Sequence, residues 1–87
     1  MYTLYILECA DGTLYTGITT DVTRRVLEHN SSALGARYTH GRRPVRIIYT
    51  CDFSNRSLAT REEARIKKLS RAEKLFLIQS SDTATGG

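Results

Sequence analysis

Two strand-like runs on either side of an Asp-Gly pair constrain the fold of this chain more than any other feature. Residues 2–8, YTLYILE, and residues 13–18, TLYTGI, are rich in the aromatic and β-branched residues that favour strands. The pair at 11–12 is typical of a tight hairpin turn, because glycine tolerates positive φ. The sequence therefore predicts an antiparallel hairpin, with Tyr5 and Tyr15 facing each other or on neighbouring positions.

A helix and a third strand are predicted after the hairpin. Thr20-Asp21 can cap a helix over residues 22–30, VTRRVLEHN, which has a short apolar stripe. Residues 31–44 are rich in small residues and arginine, and they predict a loop that closes with the only proline. Residues 45–53, VRIIYTCDF, predict the third strand.

Two more helices complete the predicted fold. Ser57 can cap a helix over residues 58–69, and the run SRAE at 70–73 is a capping box that begins a last helix. Residues 80–87 are small and polar, and we expect a flexible tail there. The predicted order is strand, strand, helix, strand, helix, helix. The fold class is therefore α/β (α+β), a small three-stranded antiparallel sheet with helices packed on it, as a single domain over residues 1–79.

Composition excludes several classes of protein. The chain has 87 residues, 40% of them hydrophobic and 25% charged, which are ordinary globular proportions for one domain. No apolar run is long enough to span a membrane, and the first residues lack a signal-peptide pattern, so we expect a cytoplasmic protein. Cys9 and Cys51 have neither CxxC spacing nor a nearby histidine pair, which argues against a zinc site and favours reduced thiols.

The positive charge is unevenly distributed. The net charge is +4, and six arginines lie between positions 24 and 46 against one acid, Glu28. A second basic run lies between Arg65 and Lys74. Guanidinium groups match phosphate oxygens and their binding releases counterions, so these runs suit a nucleic acid. A solvated surface explains the same charges equally well.

Several residues able to act on a phosphodiester occur in a fixed order. The run TLY occupies 3–5 and YTG occupies 15–17, Arg25 follows the second tyrosine by ten residues, His29 lies four further on, and a glutamate lies on the following helix. The ordered set resembles the GIY-YIG nuclease domain over residues 2–78, and in particular its small stand-alone, YhbQ-like branch. TLY and YTG replace the eponymous triplets at outer or middle positions.

The resemblance implies a role for each of five side chains. The hydroxyls of Tyr5 and Tyr15 orient or deprotonate the attacking water, and His29 assists proton transfer. Arg25 contacts the scissile phosphate, and Glu63 holds a divalent metal, Mg²⁺ or Mn²⁺. The implied activity is a metal-dependent endonuclease that hydrolyses phosphodiester bonds.

The resemblance also implies a nucleic-acid substrate. We expect DNA, in repair or recombination, with no membrane partner and with a separate protein that supplies specificity. Gly17 matches a family glycine whose missing side chain lets the backbone approach closely. Tyr38 can stack on nucleic acid, a weaker inference. The basic side chains expected to contact the nucleic acid are Arg24, Arg37, Arg42, Arg43 and Lys67.

Elementary chemistry is compatible with this set. Phosphodiester hydrolysis needs a deprotonated water, neutralisation of charge on the phosphoryl oxygens and help for the leaving oxygen. One glutamate is a sufficient protein ligand for Mg²⁺, which keeps several waters. A tyrosine, with an ordinary pKa of about 10, is a poor base unless a nearby cation lowers that pKa.

Each of these residues also has a purely structural interpretation. The two tyrosines are typical strand aromatics, and Arg25 and His29 suit a helix surface. Glu63 can form a capping box with Thr60. On a helical wheel Glu62 lies nearer the apolar stripe than Glu63, so periodicity alone does not choose between them.

Two other functions stay open. Many members of the family have an asparagine about twelve residues beyond the glutamate, where this chain has Glu73-Lys74-Leu75. That departure favours a non-catalytic nucleic-acid-binding module with the same fold. The third interpretation is a protein-interaction domain whose basic surface meets an acidic partner.

Overall fold

The computed structural model describes residues 1–31 and 37–86, without the side chains of residues 37 and 81–86. Three strands and four helices follow one another along the chain. They are β1 (Tyr2–Glu8), β2 (Leu14–Thr19), α1 (Val22–Ser31), α2 (Arg37–His40), β3 (Arg46–Phe53), α3 (Arg56–Lys67) and α4 (Arg71–Gly86). The predicted order of strands and helices is confirmed, with α2 as an additional short helix.

The three strands form one antiparallel sheet in the order β2-β1-β3. The first strand of the sequence is therefore the central one, and four consecutive residues of β1, from Leu4 to Leu7, are buried. The register pairs Tyr5 with Gly17 and Leu7 with Tyr15. Side chains alternate between the two faces of a strand, so Tyr5 and Tyr15 lie on the same face of the sheet.

The turn between β1 and β2 has the geometry that the Asp-Gly pair predicts. Gly12 has a φ of +83°, in the region that favours glycine. The Asp11 carboxylate accepts hydrogen bonds from the backbone N–H of Thr13 at 3.1 Å and from its hydroxyl at 2.6 Å. These contacts hold the turn and with it the register of the hairpin.

Apolar side chains cover both faces of β1. On one face, Leu4 and Ile6 pack with Ile66 of α3 and Ile78 of α4. On the other face a second cluster packs against Val22 and Val26 of α1 and against Tyr15, and its buried members are Tyr5, Leu7, Cys9 and Val45. The second face carries the candidate site, because both tyrosines and α1 meet there.

Two local predictions were wrong. The segment 31–44 was predicted as a loop, but the structure has α2 within it; residues 32–36 lie outside the described part. The predicted cap Ser57 lies inside α3, whose cap is Asn55. The extended backbone of Asn55 lets its side-chain oxygen accept from the N–H of Leu58 at 3.0 Å, so the helix begins earlier.

The last helix begins as predicted and ends later. The Ser70 N–H donates to the Glu73 carboxylate at 2.8 Å, and the Glu73 N–H donates to the Ser70 hydroxyl at 3.1 Å, which is a complete capping box. The helix continues past Ser80 to Gly86, so the tail expected at 80–87 has helical backbone up to Gly86. Its side chains from 81 onward and residue 87 lie outside the described part, and both its flexibility and the domain limit at 79 stay predictions.

Two exclusions from composition can be compared with the described residues. Within them, no helix combines the length and apolar character needed to cross a bilayer. Cys9 and Cys51 are free thiols, and the Cys9 side chain is buried.

Candidate active site

The hairpin register places Tyr5 and Tyr15 together. Their ring centroids are 6.4 Å apart. Tyr5 is 1% exposed, whereas Tyr15 is only partly buried. Of the two hydroxyl-bearing rings predicted to act on water, Tyr15 is therefore the more accessible.

Helix α1 brings two more predicted residues to the same face. It begins where the Asp21 carboxylate accepts from the N–H of Arg24 at 3.1 Å, as a side-chain cap. Arg25 and His29 are one helical turn apart on the side that faces the tyrosines. The His29 ring contacts both tyrosines edge-on, with centroid distances of 5.3 Å to Tyr15 and 5.9 Å to Tyr5.

A buried chain of hydrogen bonds joins these side chains. The Tyr5 hydroxyl lies 3.0 Å from Nε2 of His29, and Nδ1 of His29 lies 2.7 Å from the hydroxyl of Thr39 in α2. The positive charge of the Arg25 guanidinium also acts on the Tyr5 hydroxyl, and the guanidinium forms an ion pair with Glu28 at 2.9 Å. The hydroxyl of Tyr5 is thus bonded to His29 and lies within the electrostatic range of Arg25.

The donors and acceptors in this chain can be assigned from the network. The positive charge of Arg25 favours the lone pairs of the Tyr5 oxygen on its side, so the Tyr5 O–H donates to Nε2 of His29. The proton of a neutral His29 is then on Nδ1 and donates to Thr39. Every polar group of the chain has a partner in this assignment.

Burial keeps both members of the Tyr5–His29 pair neutral. It raises the pKa of Tyr5 to about 12, although the Arg25 guanidinium acts in the opposite direction. Burial, together with the positive charge of Arg25, lowers the pKa of His29 to about 4. At neutral pH the site therefore holds a protonated phenol that donates to a neutral imidazole.

Gly17 makes room for the Tyr5 side chain. A Cβ at this position would lie 2.5 Å from the Tyr5 hydroxyl oxygen and 2.7 Å from the ring carbon that carries it. Atoms do not approach so closely, so a side chain here requires Tyr5 to move. In this structure the group that closely approaches the backbone at Gly17 is the phenol of Tyr5.

Glu63 lies on α3, the helix that packs on the face of the sheet opposite to the tyrosines. Its negative charge contributes to the raised pKa of Tyr5, so the carboxylate lies within electrostatic range of that hydroxyl. It pairs with Lys67 at 3.3 Å, and its side chain is 20% exposed. The neighbouring Glu62 instead forms two hydrogen bonds to Arg65, at 2.7 and 2.6 Å.

Within the part of the chain that the structure describes, the carboxylate of Glu63 could bind a metal ion only as a single protein ligand. Among the described residues, no three histidine, cysteine, aspartate or glutamate side chains group closely enough to enclose an ion. Mg²⁺ is commonly held by one or two carboxylates, with waters and substrate phosphates completing its shell. Glu63 fits that arrangement, and the half-exposed Lys67 that pairs with it can move aside.

The basic side chains predicted to bind nucleic acid are mostly engaged within the protein. Arg24 lies 3.8 Å from Glu28, and Arg43 donates to the His29 carbonyl at 2.5 Å. Arg42 pairs with Asp11 at 3.1 Å. A guanidinium has five N–H donors, so these contacts leave capacity for phosphate oxygens. The side chain of the fourth arginine in this set, at position 37, lies outside the described part.

The sequence did not indicate two contacts of the site: that of Thr39 with His29, and that of Asp11 with Arg42. Thr39 is fully buried against His29, but the segment that contains it has no apolar periodicity. Asp11 was predicted only as a turn residue, and it also binds Arg42 from the opposite end of the site. Both contacts join segments far apart in sequence, and no local pattern reports such contacts.

Comparison with known proteins identifies the family of this chain. The family model of the GIY-YIG catalytic domain matches residues 1–75. UPF0213 protein DP2720 of Desulfotalea psychrophila is 54% identical, over 91% of this chain and 72% of that protein. UPF0213 protein VNG_2274C of Halobacterium salinarum is 57% identical, over 85% of this chain and 95% of that protein.

Two solved structures have the same fold. The solution structure of UPF0213 protein BH0048 from Bacillus halodurans superposes with a TM-score of 0.59 at 48% identity, and covers 91% of this chain and 84% of that one. Protein EF2693 from E. faecalis superposes with a TM-score of 0.61 at 41% identity, and covers 92% of this chain and 85% of that one. Fold, relatives and family model agree, and the chain belongs to the GIY-YIG catalytic domain family.

Proposed function

We propose that this protein is a divalent-metal-dependent endonuclease that hydrolyses phosphodiester bonds in DNA, in the course of repair or recombination. Membership of the GIY-YIG family implies nuclease-type chemistry on nucleic acid, and nucleases of this family generally use divalent metals. The metal dependence, the DNA substrate and the residue roles are the proposal. The single observation that supports it best is the buried hydrogen bond between the Tyr5 hydroxyl and His29, with the charges of Arg25 and Glu63 both acting on that hydroxyl.

Arg25 is the group proposed to hold the scissile phosphate. The Arg25 side chain is one quarter exposed, so it lies at the edge between the buried hydrogen-bond chain and solvent. Its bond to the Glu28 carboxylate fixes its orientation, and the remaining N–H donors can meet non-bridging phosphate oxygens. The positive charge of Arg25 also stabilises the negative charge that develops on the phosphoryl oxygens in the transition state.

Tyr15 and the Tyr5–His29 pair are proposed to handle the attacking water. Tyr15 is accessible and orients the water, whereas Tyr5 and His29 are buried in the free protein. His29 is neutral at neutral pH and can therefore accept a proton through the Tyr5 hydroxyl. A phosphate bound beside the pair raises the pKa of His29, because negative charge favours the imidazolium.

Glu63 is proposed to hold Mg²⁺ or Mn²⁺. When bound, the ion supplies charge neutralisation at the leaving oxygen of the phosphodiester. The water oxygen forms a bond to phosphorus, the bond from phosphorus to the leaving oxygen breaks, and one proton passes from the water side to the leaving side. The products are a phosphate monoester end and a hydroxyl end.

Nicking of a supercoiled plasmid tests the proposal. We would compare the native protein with Glu63→Ala and Glu62→Ala, each with and without Mg²⁺ or Mn²⁺. Glu62 is the matched control, because it is the adjacent carboxylate with the same charge but is bonded to Arg65 on the same helix. We expect Glu63→Ala to lower the rate at least about a hundredfold, the size of effect seen when a group that stabilises transition-state charge is removed. Glu62→Ala should keep most of the rate.

A cutting rate unchanged by Glu63→Ala would contradict the role of Glu63. No metal-dependent nicking by the native protein, with DNA binding retained, would favour the alternative, a nucleic-acid-binding module without catalysis. One observation favours that alternative. Glu63 forms an ion pair with Lys67, which neutralises the carboxylate proposed to hold the metal.

A further inference from the structure

A third tyrosine extends the site towards solvent. The ring of Tyr38, in α2, stacks on the ring of Tyr15 with a centroid distance of 5.7 Å and an interplanar angle of 29°. The guanidinium carbon of Arg42 lies 4.1 Å from the centroid of the Tyr38 ring. Tyr15, Tyr38 and Arg42 therefore form a continuous stack of flat groups that begins beside His29.

Two hydrogen bonds hold the guanidinium of Arg42, and a third fixes its backbone. Its Nε donates to the Asp11 carboxylate at 3.1 Å, and its Nη1 donates to the Tyr38 carbonyl at 2.8 Å. Its own carbonyl accepts from the N–H of Ala10 at 2.9 Å. An arginine otherwise loses considerable rotamer freedom when it is ordered. Here the protein has already ordered it, in a plane that lies over an aromatic ring.

The outer part of the stack is open to solvent. Tyr38 is 38% exposed, and the Arg42 side chain is 38% exposed. Aromatic rings and guanidinium planes are the groups on which proteins stack unpaired nucleobases. Paired bases inside a duplex already stack on their neighbours on both faces, so only an unpaired or terminal base can offer a face to this surface.

We propose that the guanidinium of Arg42, backed by the Tyr38 ring, forms a stacking platform for an unpaired nucleobase that flanks the phosphate held at Arg25. This inference rests on the proposed function, and it names the substrate class: nucleic acid with a single-stranded or unpaired nucleotide at the cleavage position. Tyr15 links the platform to the site, because its ring contacts both Tyr38 and His29. The same stack could instead only brace α2 against the turn at Asp11, and the experiment separates these roles.

A single tryptophan can report stacking directly. The native chain has no tryptophan, so Tyr38→Trp places one fluorophore in the platform. Phe76→Trp is the control, because Phe76 is an exposed aromatic residue on α4, 72% exposed, outside this stack. We would titrate each variant without divalent metal, so that nothing is cut, using a circular single strand and the relaxed, closed circular duplex of the same sequence, which has no terminal base. Single strands should quench the emission of Tyr38→Trp, and the duplex should quench it much less at equal occupancy.

Affinity measurements supply the second readout. Tyr38→Ser should weaken binding of the single strand by about 5- to 100-fold, the size of effect found for loss of one stacking residue. The dependence of binding on salt should keep its slope, because no phosphate contact is lost. Tyr38→Phe keeps the ring and should bind as the native protein does, and duplex binding should change little in either variant. Thermal unfolding of each variant shows whether it is folded.

Equal affinity losses for single strand and duplex, or no loss in Tyr38→Ser, would overturn the platform. If Tyr38→Ser does not fold, the tryptophan titration decides, and absence of quenching by a bound single strand overturns the proposal. These results leave the nuclease proposal standing, since they are obtained without metal and do not involve Glu63. Failure to bind either form of DNA would overturn both proposals.

Discussion

The hydroxyl of Tyr5 lies 3.0 Å from Nε2 of His29, and neither side chain is more than 1% exposed. A phenol and an imidazole can share a buried position only if each satisfies the other, because an unpaired polar group there costs about 1 to 3 kcal/mol. The same bond therefore serves the fold and the proposed chemistry. A variant at this contact therefore needs two measurements, one of stability and one of activity.

The stability of the protein should depend on the protonation of His29. Its pKa is about 4 in the folded protein, against an ordinary value of 6.5. The unfolded chain then binds more protons than the folded one between these two values, so stability falls as the pH is lowered from about 7 to about 4. The full loss is about 3 kcal/mol.

Urea unfolding at a series of pH values checks this expectation. His29→Gln should unfold at lower urea but lose the part of the pH dependence that lies between the two pKa values. Acidic groups with lowered pKa values, such as Asp11 and Glu73, contribute to both proteins and cancel in the difference. The same pH dependence in both proteins would contradict the assignment to His29.

Thr39 should act as a positioning residue for His29. Thr39→Val removes the partner of Nδ1 and leaves a buried donor unsatisfied, so we expect a loss of about 1 to 3 kcal/mol in the free energy of unfolding. The nitrogen NMR shifts of the His29 ring provide the second measurement. They should show the Nδ1–H form in the native protein and a loss of that single form in Thr39→Val. Thr39→Ser should restore both properties, and a purely steric role would predict no change in the ring nitrogens.

Gly17 and Gly41 form a matched pair for substitution by alanine. A Cβ at Gly17 meets the buried Tyr5 phenol at 2.5 Å, whereas a Cβ at Gly41 meets no atom within 4 Å. Gly17→Ala should therefore lower the free energy of unfolding by about 1 to 3 kcal/mol. Gly41→Ala should change it by less than about 0.5 kcal/mol. Similar denaturation midpoints for the two variants would show that Tyr5 is not held as tightly as described.

Thr16 offers a stabilising substitution. Its hydroxyl is buried and has no hydrogen-bond partner, on the face of β2 opposite to the tyrosines. Thr16→Val replaces the hydroxyl with a methyl group and should raise the free energy of unfolding by about 1 kcal/mol. Thr3→Val is the contrast, because the Thr3 hydroxyl donates to Asp52 at 2.6 Å and its loss should not stabilise. Destabilisation by Thr16→Val would mean that the hydroxyl has a partner in solution.

The hairpin and the capped helices could be predicted because their causes are local. The turn at Asp11 and Gly12 depends on one backbone conformation, and the capping box depends on two side chains three residues apart. The misplaced cap of α3 shows the limit of this reasoning. Asn55 and Ser57 are both good capping residues, and in the folded chain the extended backbone conformation belongs to Asn55.

The sequence by itself determined the hairpin of β1 and β2, the caps of α1 and α4, and the presence of tyrosine, arginine, histidine and glutamate at family spacings. These follow from local sterics and from residue identity. Only the tertiary structure decided that Thr39 satisfies His29, that Gly17 clears the phenol of Tyr5, and that Arg42 lies over Tyr38. These contacts depend on distances between segments that are remote in the chain, and such distances exist only once the sheet and helices have packed.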